Sequence, residues 1–263
     1  MPKTILITGA TDGIGLETSK TLVEHGHHVL LHGRNVKKLK AVEETLSVIG
    51  TVESYVADLS NLDAVKQLAQ TIKGKNKTLD VLVNNAGILK TPNTTTSDGL
   101  DVRFVVNTIS PYLLTKELLA ILGNNGRVIN LSSAAQSPVK LDALTGKDTG
   151  LDDMDAYSQS KLAITMWSRS IANSGPTVIA VNPGSLLGSK MVKEGFGISG
   201  KDIGIGAEIL VRLALEEEFS NASGQYFDND KGQFGRPHPD ALDDHKCAQI
   251  VQTIEEMLSS HLD

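Results

Sequence analysis

The chain predicts an α/β fold: a doubly wound, mostly parallel seven-stranded sheet with helices on both faces. Three observations carry this expectation. Short aliphatic runs alternate with longer stretches whose apolar residues recur at a period of about 3.6, which is a repeated strand-helix unit. The first run leads directly into a glycine-rich turn, Thr8-Gly9-Ala10-Thr11-Asp12-Gly13-Ile14-Gly15. Hydrophobic residues make up 40% of the chain but aromatics only 4%, so the core is aliphatic, as a sheet covered on both faces requires.

Taken in order, the strands fall at residues 4–8, 29–32, 52–56, 81–83, 128–131 and 178–181, with a less regular seventh at 224–227. Each is short, aliphatic and bounded by turn residues. The helical period appears at 14–25, 62–72, 104–122 and 154–172, and a last amphipathic stretch covers 241–258. Parallel strands joined through helices require right-handed crossovers. The rhythm breaks twice. Residues 136–153 are polar and glycine-bearing, and residues 185–201 are glycine-rich without a strong period, so both read as long functional or flexible loops. There is no internal repeat or linker, and the 263 residues read as a single domain.

Composition excludes several functions. A net charge of -6 without a basic block argues against a nucleic-acid surface. The lone Cys247 permits no internal disulfide, fits a reducing, cytoplasmic setting and is most simply a small packed residue. No run of consecutive apolar residues reaches the ~18 that a membrane span needs. His25, His27 and His28 surround Gly26, a natural left-handed cap at the end of the first helix, and no Cys pair or His-Glu signature accompanies them, so no metal is expected. A serine hydrolase is disfavoured because no Gly-x-Ser-x-Gly elbow occurs.

Two motifs carry chemistry. At the end of the first strand, glycines let the backbone approach a pyrophosphate while the helix amino terminus offers free N-H groups, as in Rossmann-type sites. The spacing is Gly-x-x-x-Gly-x-Gly rather than G-x-G-x-x-G. In Tyr157-Ser158-Gln159-Ser160-Lys161 a phenol and an ammonium four positions apart share one helix face. A cation beside a phenol lowers its pKa from ~10 toward neutrality, making an acid or base.

With these motifs in order, the chain resembles the short-chain dehydrogenase/reductase family over nearly its whole length. Further matches are Asp58-Leu59, Asn84-Asn85-Ala86-Gly87, Asn107, Ser132-Ser133 and Asn182-Pro183-Gly184. The segment from Asp98-Gly99-Leu100 through Val106-Asn107 to Thr115 is similar to the retinol dehydrogenase and carbonyl reductase branches. The resemblance implies an NADP(H)-dependent oxidoreductase of the alcohol dehydrogenase or carbonyl reductase type. Tyr157 would exchange the proton with the substrate oxygen. Lys161 would lower the tyrosine pKa and bind the nicotinamide ribose, Ser133 would hold the carbonyl, and Asn107 would hold a relay water. It places the cofactor against Gly9, Thr11, Asp12, Gly13, Ile14, Gly15, Asp58, Leu59, Asn85, Ala86, Gly87, Tyr157, Lys161, Pro183, Gly184 and Ser189, the last in place of a threonine.

Within that frame, an NAD enzyme needs an acidic residue at the end of the second strand, where Gly33 stands. Arg34, followed by Asn35, instead suits the 2'-phosphate of NADP(H). The partner is then a small carbonyl or alcohol compound. Residues 185–201, which mix Leu186, Leu187, Met191, Val192, Phe196 and Ile198 with glycines, are expected to close as a lid over a medium-sized apolar substrate. From Ser133 to Tyr157 is 24 positions (157 minus 133), about twice the family's usual spacing. Related insertions in the carbonyl reductase branch cover the helix surface used for dimerisation, so with an insertion at 136–153 the resemblance allows a homo-oligomer but does not imply the usual one. A cofactor-binding redox sensor or scaffold is the alternative, but such proteins typically lose the tyrosine or lysine.

Overall fold

The computed structural model describes residues 1–148 and 150–259. The first half of the chain runs β1 (Thr4–Ile7), α1 (Gly13–Glu24), β2 (His28–Gly33), α2 (Val36–Leu46), β3 (Val52–Val56), α3 (Leu62–Lys75) and β4 (Val81–Asn84). One long helix follows, made of α4 (Val102–Phe104), a π-helical segment (Val105–Ile109) and α5 (Ser110–Leu122). Then come β5 (Arg127–Leu131), α6 (Leu141–Leu144), α7 (Asp153–Ser170), β6 (Thr177–Asn182), α8 (Lys190–Phe196) and α9 (Gly204–Leu215). The chain closes with β7 (Tyr226–Asp228), β8 (Gln233–Gly235) and α10 (Asp244–Met257).

The strands form one sheet in the order β3-β2-β1-β4-β5-β6-β7-β8. Seven are parallel, as expected, and an eighth, β8, pairs antiparallel with β7. The expectation of seven strands missed β8 because it is only three residues long and carries no alternating pattern. It forms because Phe234 packs edge-on against Phe227 and Phe219, at centroid distances of 5.2 and 5.9 Å.

Period-two alternation sorts each strand between two cores. Leu6, Leu30, Leu82, Val128 and Val178 face the layer of α3, α5, α7 and α10. Ile5, Ile7, Leu31, Val83, Ile129 and Val181 face the layer of α1, α2 and α9. The crossover direction reverses between β1 and β4, which opens a crevice at their carboxyl ends, where such folds bind ligands.

One expectation is corrected and one is qualified. Among the described residues of the insertion at 136–153, a part joins the core rather than forming a flexible loop: Ala143 and Leu144 in α6 are fully buried, with Val139, Leu141 and Leu151 partly buried beside them. Its apolar residues are sparse in sequence yet converge in space. The helix over Val102–Leu122 is long and apolar enough by length and composition to cross a membrane, which counting consecutive apolar residues did not register. Most of it is buried against the sheet, where a central core helix is apolar on every side.

Candidate active site

The glycine turn folds tightly because nothing larger fits. A Cβ at Gly15 would lie 2.4 Å from both Gly9 O and Asn85 Nδ2. Asn85 is therefore a brace as well as a wall: its Nδ2 donates to Thr8 O at 2.8 Å and Gly9 O at 3.2 Å, tying β4 to the turn. The Ala86 N-H bonds Thr8 Oγ1 at 3.0 Å, and Asp12 caps α1 by accepting from Gly13 N at 2.8 Å.

A third brace, His32, was read only as a strand residue. Its Nδ1 accepts from Gly9 N at 3.3 Å while its Nε2 sits 3.1 Å from Ala57 O, a geometry met by a neutral ring protonated on Nε2. Burial holds its pKa down at about 4. The folded chain therefore binds fewer protons than the unfolded chain between pH 4 and 6.5, and stability is full above that window and lost as the pH falls through it. The loss is on the order of 3 kcal/mol. His32→Gln should flatten the dependence of Tm on pH over this range, and a slope equal to that of the unsubstituted protein would exclude His32 as its source.

A cavity of about 550 Å³ runs from this turn across the crevice. One end is walled by Gly33, Arg34, Asn35, Asp58 and Leu59. A Cβ at Gly33 would lie 2.6 Å from Thr11 Cγ2, so no carboxylate side chain fits there as the chain stands. Arg34 is exposed on this wall, and Asn35 caps α2 by accepting from Lys38 N at 3.0 Å. Lys38, which sequence reasoning passed over, lines the same end, 3.8 Å from Asp12 Oδ2. Its only signal was its place one helical turn beyond Arg34.

At the other end Tyr157 and Lys161 enter from α7. Lys161 Nζ donates to Leu131 O at 2.7 Å and stands 5.6 Å from the Tyr157 ring centre. Ser133 stands beside Tyr157, where its hydroxyl favours the phenolate, whereas the Ser132 hydroxyl is buried and engaged by Lys161 O and Thr165 Oγ1. Sequence reasoning expected the ammonium to lower the phenol pKa; instead burial raises it, with the Ser133 hydroxyl opposing. Burial also brings Lys161 down to about 7. The pair is thus held near neutrality of charge, because both ionised forms lose hydration here.

Asn107 lies one layer behind, fully buried in the π-helical segment. Its Oδ1 accepts from Ile88 N at 2.8 Å, and its Nδ2 reaches Ile88 O and Ser160 Oγ, each at 2.9 Å. Such π-bulges recur at functional sites. A Cβ at Gly87 would sit 3.3 Å from Lys161 Nζ and 3.4 Å from Asn107 Oδ1, so a side chain there would crowd both. The serine loop is braced from afar: Ser133 O accepts from Gln136 Nε2 at 3.0 Å and from Tyr226 OH at 3.1 Å. Neither brace was legible in sequence.

Of the segment 185–201, Ser189, Lys190, Met191 and Glu194 reach the cavity. Pro183, Ser189 and Met191 line it, and Ser189 caps α8 by accepting from Val192 N at 3.2 Å. Ile14, Ala86 and Gly87 also line it, together with Lys90, Lys190 and Glu194, whereas Gly15, Asn107, Ser133 and Gly184 stand outside the lining. Leu187 and Val192, expected as walls for substrate, are buried in packing. Leu186, Phe196 and Ile198 remain exposed. Among the described residues no group of three or more His, Cys, Asp or Glu is placed to hold a metal ion.

A glycine-turned crevice at the strand-order reversal, with a serine, tyrosine and lysine converging at one end, is the arrangement of doubly wound oxidoreductases. Residues 3–196 match the family described as short chain dehydrogenase, and the chain belongs to that family. It is 33% identical to retinol dehydrogenase 13 of Homo sapiens, over 94% of this chain and 82% of that protein. It is 32% identical to polyprenol dehydrogenase of Homo sapiens, over 86% and 76% respectively. Among solved structures, an uncharacterised protein from Mycobacterium Paratuberculosis superposes with a TM-score of 0.81 at 26% identity, covering 98% of this chain and 93% of that one. A short-chain dehydrogenase from Shigella flexneri complexed with NADP superposes at 0.69 with 26% identity, covering 87% and 97%.

Proposed function

We propose that the protein is an NADP(H)-dependent oxidoreductase that interconverts a carbonyl group and a primary or secondary alcohol on a medium-sized apolar substrate. The observation that carries this reading is the convergence of the Tyr157 and Ser133 hydroxyls with Lys161 Nζ at one end of a glycine-cradled cleft.

The residues fit the cofactor. The turn at Gly9, Gly13 and Gly15 admits a backbone-hugging pyrophosphate, and Gly33 packed on Thr11 excludes the carboxylate an NAD site uses. Arg34 and Lys38 supply positive charge where a 2'-phosphate belongs. When bound, NADPH supplies the hydride. Ser133 then donates a hydrogen bond to the substrate oxygen, and Tyr157 gives it a proton as its charge builds. Lys161 would hold the cofactor ribose and return a proton to Tyr157. Asn107 fixes the backbone at Ile88 and the α7 helix through Ser160, so that tyrosine and lysine keep their places.

Substrate class follows from the cover. Met191 lines the cleft, and Leu186, Phe196 and Ile198 lie exposed along the same segment. Ile88, Leu89, Val106 and Leu131 line the cleft as well, an apolar wall beside the charged Lys90, Lys190 and Glu194. Relatives named for retinol and polyprenol, both apolar alcohols, support the same choice. The direct test is NADPH oxidation against a panel of apolar aldehydes, ketones and charged keto acids. Turnover of the apolar members supports the reading, preference for charged ones removes the substrate assignment, and tight NADPH binding without any turnover points to a sensor.

Residues 185–201 act in this reading as a lid. Hydrogen exchange across the segment should slow when NADPH and an apolar ketone are both present. Equal exchange in the free and ternary states would remove the lid.

A further inference from the structure

We infer that Arg103 is a positioning residue for the active site: it fixes the distance between the helix that carries Asn107 and the helix that carries Tyr157. The inference rests on the reductase reading above and deepens it.

The observation is a buried charge bridging two helix starts. Arg103 is only 1% exposed. Its Nε and Nη2 grip the two carboxylate oxygens of Asp101 at 2.9 and 2.5 Å, and its Nη1 reaches Asp153 Oδ1 at 2.6 Å. Asp101 is the cap of α4, also accepting from Arg103 N at 2.8 Å, and Asp153 is the first residue of α7. One turn beyond Arg103 lies Asn107, and one turn beyond Asp153 lies Tyr157, so the strut is anchored one turn upstream of each.

A second set of ties sits on the far side of the tyrosine. Ser160 Oγ accepts from Asn107 Nδ2 at 2.9 Å, and Ser160 O accepts from Thr108 Oγ1 at 2.8 Å. Tyr157 is therefore held between two fixed points, the Asp153 strut behind it and the Ser160 ties ahead. The insertion has a function in this arrangement, because its packed end delivers Asp153 to Arg103.

Cohesion alone does not require a guanidinium here. Apolar side chains of similar volume hold buried helices together as well as, or better than, an ion pair. What the planar fork adds is fixed direction and distance, and catalytic geometry is sensitive to shifts of about 1 Å, which cost on the order of 100-fold in rate.

Arg103→Met is a poor test because it leaves Asp101 buried without its partner. Asp153 is 39% exposed, so Asp153→Asn weakens only the strut and leaves the Arg103–Asp101 grip in place. Steady-state kinetics with NADPH and decanal should show kcat reduced about 10- to 100-fold, with KM for NADPH and the melting temperature nearly unchanged, and with recovery in Asp153→Glu. A lowered melting temperature with unchanged kcat would make the strut merely structural and overturn the inference. An unsubstituted protein inert toward every carbonyl would overturn both this inference and the reductase reading.

Discussion

Replacing Tyr157 by phenylalanine should lower turnover about 10²- to 10⁴-fold while NADPH binding stays unchanged. Only the phenolic oxygen is lost, and the ring keeps its packing on α7 and its place 5.6 Å from Lys161 Nζ. Burial raises the tyrosine pKa, so at neutral pH the phenol holds its proton and is ready as the acid in carbonyl reduction. The Ser133 hydroxyl remains to bind the substrate oxygen without protonating it. Lys161→Met should behave differently. The lysine would hold the cofactor ribose as well as serve the tyrosine, so affinity for NADPH and turnover should fall together. Folding should survive, because burial lowers the lysine pKa to about 7, so charging this amine at neutral pH costs stability and its removal does not. Pre-steady-state mixing with fluorescence detection of bound NADPH separates the two variants. Substantial reductase activity in Tyr157→Phe would contradict the proposed acid.

The second large effect is expected at the other end of the cleft. Arg34→Ala should weaken NADPH about 10- to 100-fold, the worth of one charge-assisted contact at ~1.5–3 kcal/mol, and leave NADH unaffected. Lys38→Ala should act in the same direction but less, since this lysine is more than half exposed and already shared with Asp12. Gly33→Asp alone should not create an NADH enzyme, because its Cβ meets Thr11 Cγ2 at 2.6 Å. Pairing it with Thr11→Gly opens that space. Titration of both cofactors against each variant gives the comparison, and an unsubstituted protein that prefers NADH would remove the assignment of Arg34.

The parts of this site that were legible in sequence are those set by local spacing. Tyr157 and Lys161 announce themselves four residues apart, and the glycine turn does so between a strand and a helix. Residues that act through distant partners gave no such signal. Arg103 meets Asp153 across 50 positions, and Tyr226 meets Ser133 across 93, so only the folded chain brings them together. His32 looked like strand filling because its two bonds go to backbone atoms of Gly9 and Ala57, which leave no mark in side-chain pattern. The insertion was misread for a related reason. Val139, Leu141, Ala143 and Leu144 make too short a run to establish a period, yet the core collects them. The sign of the Tyr157 shift also depended on burial, which spacing does not report.

Hydride transfer is tested most directly by following the transferred atom. NADPH carrying deuterium at the reactive nicotinamide carbon is mixed with the protein and an apolar aldehyde, and the product alcohol is examined by mass spectrometry. The account predicts deuterium on the carbinol carbon with the unsubstituted protein, and product formation strongly reduced in Tyr157→Phe. Alcohol formed without deuterium, or bound NADPH with no alcohol formed from any member of the panel, would contradict it.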